Sequence, residues 1–171
     1  MAIIQLKCKV GRLSPYGKKK VAHALFYRGV NFLLAAKLLE EKGGYRYVVL
    51  HLLCQGLEII IKGLLLMQNY DKYKPKLTNE SRGGFGHNLV KGAEELRNEL
   101  DARSLKIDED TMSELKILNN FYRNHLLRYG SPVLELFVEP RIISSDLVMR
   151  YAFKLVRFGN RKFRIKKPTN R

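Results

Sequence analysis

The stretch YRYVVLHLLCQGLEIIIKGLLLMQN, residues 45–69, decides the fold. Val48, Val49, Leu52, Leu53, Leu57, Ile59, Ile60, Ile61, Leu64, Leu65 and Leu66 cover nearly every side of a helix drawn through it. A helix that is apolar all round belongs at the centre of a domain. Four polar residues interrupt the run: His51, Gln55, Glu58 and Lys62, separated by four, three and four residues. At about 100° per residue they fall within roughly 40° to 60° of one another, a single polar core stripe. A buried charge requires a partner, so the stripe must face a pocket, another polar helix face, or solvent at a groove. Glu58 and Lys62 alone would make an ordinary i, i+4 ion pair. Residues 48–67 are long enough to span a bilayer, but charges at mid-bilayer depth are costly, so no membrane insertion is expected.

Upstream, Gly43-Gly44 makes a tight connection, so the central helix should return antiparallel to the one before it, as an αα-hairpin. That earlier helix starts at Ser14-Pro15, a capping residue followed by a proline tolerated at the first helical position. Ala22, Leu25, Gly29, Phe32, Ala36 and Leu39 recur at three- and four-residue steps and predict its buried face, up to about Lys42.

Downstream, Pro75, Asn79, Ser81 and Gly83-Gly84 predict a long basic loop over residues 70–86. Asn88 is placed to cap a third helix buried through Leu89, Ala93, Leu96 and Leu100. Thr111 and Glu114 have capping-box spacing, which predicts a fourth helix running to about Tyr129. Gly130-Ser131-Pro132 ends it, and Leu134, Leu136 and Val138 alternate with Glu135 and Glu139 as one short extended segment. Ser145-Asp146 starts a fifth helix that Gly159-Asn160 should end, leaving a basic tail. The expected fold is all-α: an up-and-down helical bundle of four core helices plus a C-terminal helix and tail. Its parts are an arm (1–14), the bundle (15–132), an extension (133–160) and the tail (161–171).

Lys and Arg number 32 against 16 acids, a formal charge of +16, which points to a polyanionic partner: nucleic acid first, an anionic membrane surface second. Lys18, Lys19 and Lys20 sit at a helix N-terminus, where they oppose the helix dipole and do not serve helix stability. Arg161, Lys162, Arg164, Lys166 and Lys167 crowd the tail, with Phe158 and Phe163 interleaved as stacking surfaces. The two cysteines, Cys8 and Cys54, are far apart with no CxxC spacing, as for reduced thiols in a cytoplasmic protein. No signal peptide is legible in residues 1–10.

The end of the fourth helix, NNFYRNHLLRYG over residues 119–130, is dense in donors and acceptors. Asn120, Arg123, Asn124 and Arg128 share one side, while Leu118, Phe121, Tyr122, His125 and Tyr129 cluster on an adjoining, more apolar one. A histidine beside an arginine can act as general acid or base on a phosphodiester while the arginine holds the charged phosphorane. A histidine on the more apolar side of a helix is more often a hydrogen-bonded core residue than a catalytic one. His87 reads as a capping or packing residue, and His23 lies at a helix flank. No Walker A loop, metal-spaced His and Cys set or recognisable serine nucleophile is present, so no metal or cofactor is expected.

The helix pair over residues 27–67, with Gln55-Gly56-Leu57-Glu58 followed by Lys62, then Gly86-His87-Asn88-Leu89 opening a helix and Arg128-Tyr129 closing the last one, resembles a HEPN domain over about residues 15–132. That resemblance implies a helical bundle, often a homodimer. It is found as a ribonuclease, as a partner of minimal nucleotidyltransferases in two-component, toxin-antitoxin systems, or as a non-catalytic RNA-binding module. Ribonuclease members carry an Arg and a His on the last helix with four to six residues between them. Here the residues at those distances before His125 are Asn120, Asn119 and Leu118, and Arg123 is only two residues away. RNA binding is therefore expected through Lys18, Lys19, Lys20, Arg123, Arg128 and the tail, with little or no catalysis. The alternatives are a metal-independent endoribonuclease using His125, Arg123 and Asn120, with Arg128, and a nucleotidyltransferase partner.

Overall fold

A computed structural model of the chain describes residues 13–77, 84–100, 105–129 and 144–164, and among these residues it is helical with no strand. Helix α1, Pro15–Glu41, starts as expected: the Ser14 side chain accepts from the Gly17 N–H at 3.2 Å, and Pro15 occupies the first position. Its buried line is Ala22, Phe26, Gly29, Leu33 and Ala36. Leu25, Phe32 and Leu39, expected on that line, are half-buried at its edge. Their spacing is equally helical, and only the partner surface chooses between two overlapping stripes.

That surface is α2, Arg46–Gln68, reached through a turn in which Gly43 takes φ +69°. A Cβ added to Gly63 would lie 2.9 Å from Phe26 backbone, one on Gly29 2.7 Å from the Ile60 nitrogen, and one on Gly56 2.9 Å from the Leu33 nitrogen. Position rises on one helix as it falls on the other, so the pair is antiparallel, and its backbones touch where no side chain fits between. Helix α2 is long and apolar enough to cross a bilayer, yet it is mostly buried by the other helices. Among the described residues six helices contact it: α1, then α3 (Tyr70–Tyr73), α4 (Leu89–Glu99), α5 (Glu109–Arg123), α6 (Leu126–Tyr129) and α7 (Asp146–Phe163). Cys54 lies wholly inside, where burial pushes its thiol well above the ordinary range.

Four expectations are corrected. Residues 70–76 are not loop: Asn69 caps α3 by accepting from the Lys72 N–H at 3.1 Å, and a 3₁₀ turn, Lys74–Lys76, follows. Tyr73 anchors this segment, fully buried, its hydroxyl donating to Glu95 at 3.0 Å. Helix α5 is capped by Asp108, which accepts from the Thr111 N–H at 2.8 Å, rather than by Thr111. Glu114 instead reaches across, buried, and accepts from the Val148 N–H at 2.8 Å, satisfying an end donor of α7. The fourth helix does not run unbroken to Tyr129. It stops at Arg123, and His125, at φ +59°, breaks the helix before α6. Finally, Gly159 is not a stop. A Cβ there would meet Leu64 and Phe26 at 2.8 Å, so glycine permits close packing while α7 continues to Phe163, with Arg164 beyond it at φ +48°. Cys8, the extended segment, and Lys166 and Lys167 lie outside the described residues.

Candidate functional site

The polar stripe of α2 meets the loop before α4 and the end of α5. At its centre, the Glu58 carboxylate accepts from three side chains: Lys62 Nζ at 2.6 Å on Oε1, and Tyr122 Oη at 2.6 Å and His87 Nδ1 at 3.0 Å on Oε2. Glu58 and Lys62 side chains are 11% and 14% exposed, so the pair is shielded on most sides, unlike a wet surface pair. Burial favours the neutral acid, but the Lys62 charge and the hydrogen bonds from Lys62, Tyr122 and His87 outweigh it and hold the carboxyl below its ordinary range.

Each donor is fixed by something else. Lys62 also donates to the Gly86 carbonyl at 2.7 Å, clamping the turn at whose start Gly86 takes φ +51°. Asn88 caps α4 as expected, accepting from the Lys91 N–H at 3.0 Å, and Asn119 of α5 accepts from the Leu89 N–H at 2.7 Å. The motif Gly86-His87-Asn88-Leu89 is thus held between α2 and α5. The His87 ring meets Tyr122 edge-on, centroids 5.9 Å apart at 88°, and His125 at 5.5 Å and 75°. His51 also lies against Tyr122, centroids 5.9 Å apart. Because an ionised carboxylate only accepts, His87 Nδ1 carries the proton and its Nε2 is the acceptor of the neutral ring. A half-exposed imidazole fixed by a carboxylate, with a second, exposed imidazole against it, can exchange protons with a ligand at this edge.

Of the residues expected to carry chemistry, His125 joins this cluster from the left-handed turn, exposed rather than buried as a core histidine. Arg123 ends α5, exposed. The Asn120 carbonyl and side-chain oxygen accept from Asn124 at 3.0 and 3.2 Å. Arg128 falls in α6, beyond the break that ends α5. Gln55 is half-buried on α2. His87 and Tyr122 are the members that sequence reading did not assign. The signal for His87 was its place in the Gly-His-Asn-Leu motif. Nothing local pointed Tyr122 at a glutamate 64 residues earlier.

Of the expected basic residues, two from the start of α1 line a cavity elsewhere. Lys18, Lys19, His23, Leu66, Met67, Tyr70 and Phe163 are among the residues lining a cavity of about 540 Å³, which joins the start of α1, the end of α2 and the end of α7. Lys18 bonds Asp71 at 2.6 Å and lies over the Tyr70 ring, 5.9 Å from its centroid. Burial and the Lys19 charge lower the His23 pKa. Lys20 points away over Tyr16, while Lys162 lies over Phe158 and reaches the Leu100 carbonyl at 3.4 Å. Arg161 and Arg164 are exposed beside Phe163 in the chain. Met67 is nine residues past Glu58, about 13 Å along α2, so the histidine cluster and the basic end are separate places. Among the described residues no three His, Cys, Asp or Glu side chains converge as a metal site would require. No protein-family model, curated protein or solved structure matches the chain.

Proposed function

We propose that the chain is a HEPN-like RNA-binding module of the cytoplasm, with four core helices in an up-and-down bundle and with little or no catalytic activity of its own. The observation that carries this reading is a cavity shared by lysines of α1 and an aromatic residue from the basic end of α7. Lys18 and Lys19 from one terminus and the end of α7 from the other flank a single cavity with Tyr70 and Phe163 in its wall. Cations that track phosphates beside aromatic rings that stack on bases are what single-stranded nucleic acid requires. Fluorescence anisotropy with a labelled oligoribonucleotide tests it. Affinity should fall steeply with added salt, and truncation after Phe163 should weaken binding and flatten the slope. No measurable binding at low salt overturns the proposal.

A second reading is favoured by the contact of His87 with His125. In a metal-independent endoribonuclease, one imidazole takes the proton of the 2′-hydroxyl as its oxygen attacks phosphorus. The other protonates the departing 5′-oxygen, leaving a 2′,3′-cyclic phosphate, while Arg123 or Arg128 stabilises the phosphorane. Cleavage would be insensitive to chelator, and a His125→Ala protein that cleaves as well as the parent rules the reading out. Leu34, Leu38, Tyr45 and Val48 are exposed on the α1–α2 hairpin and support a second chain there, a second copy or a nucleotidyltransferase. A monomeric mass in solution, with no partner retained from the native host, removes that part.

A further inference from the structure

Helix α7 buries Val148, Met149, Tyr151, Ala152, Leu155, Phe158 and Gly159. On the side turned away from them stand Arg150, Lys154, Arg157 and Arg161, separated by four, three and four residues, with Arg164 three residues further at the helix end. At about 100° and 1.5 Å per residue, the first four fall within roughly 60° of one another along about 16 Å of helix. Arg150, Arg157 and Arg161 are exposed, and Lys154 is half-exposed beside the exposed Lys106, whose carbonyl it reaches at 3.1 Å.

This line does not serve the helix. Like charges at i, i+4 and i, i+3 repel, and the helix dipole favours cations only in the last turn, which leaves Arg150, Lys154 and Arg157 unexplained by helix stability. The line is also a ridge. On one side Lys37, Glu40, Asp146 and Phe153 line a furrow of about 380 Å³, and on the other Lys106, Asp108 and Lys154 line one of about 300 Å³. Arg150 and Arg157 belong to both walls. The acids near the ridge are already engaged or lie at its start: Glu40 with Arg46 and Lys37, Asp108 with the Thr111 N–H, and Asp146 in the first turn of α7.

We propose that the outer face of α7 is a track for the sugar-phosphate backbone of single-stranded RNA, running from Arg150 to the basic end at Arg161 and Arg164. The proposal rests on the RNA-binding reading and adds to it a surface that the termini alone do not provide. Three of the four helical cations are arginines, whose planar fork bonds phosphate oxygens bidentately. The cations stand in single file, which suits one strand of phosphates, whereas a duplex presents two ridges across a groove. Phe153, half-buried, lines the furrow beside Arg150 and Arg157 and places an aromatic ring next to the track.

The test compares the full chain with the triple variant Arg150→Gln, Lys154→Gln, Arg157→Gln in anisotropy titrations over a range of salt. The probes are a twelve-residue oligouridylate, a duplex RNA of the same length, and vesicles containing phosphatidylserine. The expected result is at least a tenfold loss of oligouridylate affinity at low salt. The slope of log K against log salt should become shallower by about 2, since each phosphate contact on a single strand contributes about 0.7. An unchanged slope with retained RNA binding overturns the track and leaves the RNA-binding reading intact, whereas absence of RNA binding by the parent overturns both. Tighter binding to duplex or vesicles than to oligouridylate also overturns it. Should the variant lose its helical circular dichroism, acetylation of the parent decides: oligouridylate must protect Lys154, and unprotected Lys154 refutes the proposal.

Discussion

The two sides of α2 are built on opposite principles. Toward α1 the contact is dry: Gly29, Gly56 and Gly63 let two backbones touch, and Phe26, Leu33 and Ile60, all fully buried, close around them. Toward α4 and α5 the same helix presents Glu58, Lys62 and His51 to Tyr122, His87 and the Gly86 carbonyl. The first side gains from close packing and area removed from water. The second spends stability to desolvate a carboxylate and recovers it only while every donor is present. A helix that needed only to be the core would repeat the first side all round, so the second marks where the fold accepts an energetic cost for a shaped polar edge.

That contrast can be broken most severely at Glu58. Glu58→Ala leaves Lys62, Tyr122 and His87 facing a carboxylate that is gone, and unfolding in urea should show a loss of about 3–5 kcal/mol. Replacing Glu58 and Lys62 together, by Gln and Met, should cost less than Glu58→Ala alone; an equal or larger cost would show that the pair is not what the site depends on. On the dry side, Gly29→Ala places a methyl 2.7 Å from the Ile60 nitrogen and should cost about 2 kcal/mol by thermal melting, despite the helix propensity alanine adds. A variant as stable as the parent would mean that the seam has room to open.

The smaller effects sharpen the contrast. Tyr122→Phe removes one of three donors to Glu58 and should lower stability by about 1 kcal/mol. It should also raise the pH at which the Glu58 carboxyl takes a proton, read by carbon-detected NMR titration. The folded carboxyl holds its charge to lower pH than the unfolded one. Its contribution is therefore complete above the ordinary carboxylate range and drains away as pH falls through the folded value. Urea midpoints of the parent should fall across that acidic window more than those of Glu58→Gln, whereas Gly29→Ala, which keeps Glu58 and its donors, should show the same window as the parent. Smallest of all, Lys37→Ala, which loses only surface pairs to Glu40 and Glu41, should stay within about 0.5 kcal/mol of the parent.

Much of this was legible along the chain because it depends on neighbours in sequence. The central helix, the Gly43 turn, the Ser14 and Asn88 caps and the start of α7 all follow from residues within a few positions of each other. The errors share one cause. Leu25 and Phe32 compete with Phe26 and Leu33 for the same spacing, and only the facing backbone of α2 selects. Gly159 reads as a stop until Leu64 and Phe26 are seen to need its missing side chain. Asp108 and Thr111 offer alternative caps, and Glu114 is taken from the local contest by the Val148 N–H, 34 residues away.

By itself the sequence determined that the chain is helical, that α2 is its centre and that its surface is strongly basic, since apolar periodicity and charge are properties of composition and local spacing. Only the tertiary structure decided that Glu58 gathers His87 and Tyr122, that His125 turns the chain beside them, and that Lys18 and Lys19 share a cavity with Phe163. Those relations depend on side chains brought together from tens of residues apart, and no local energy encodes which of several chemically suitable partners a buried carboxylate will find.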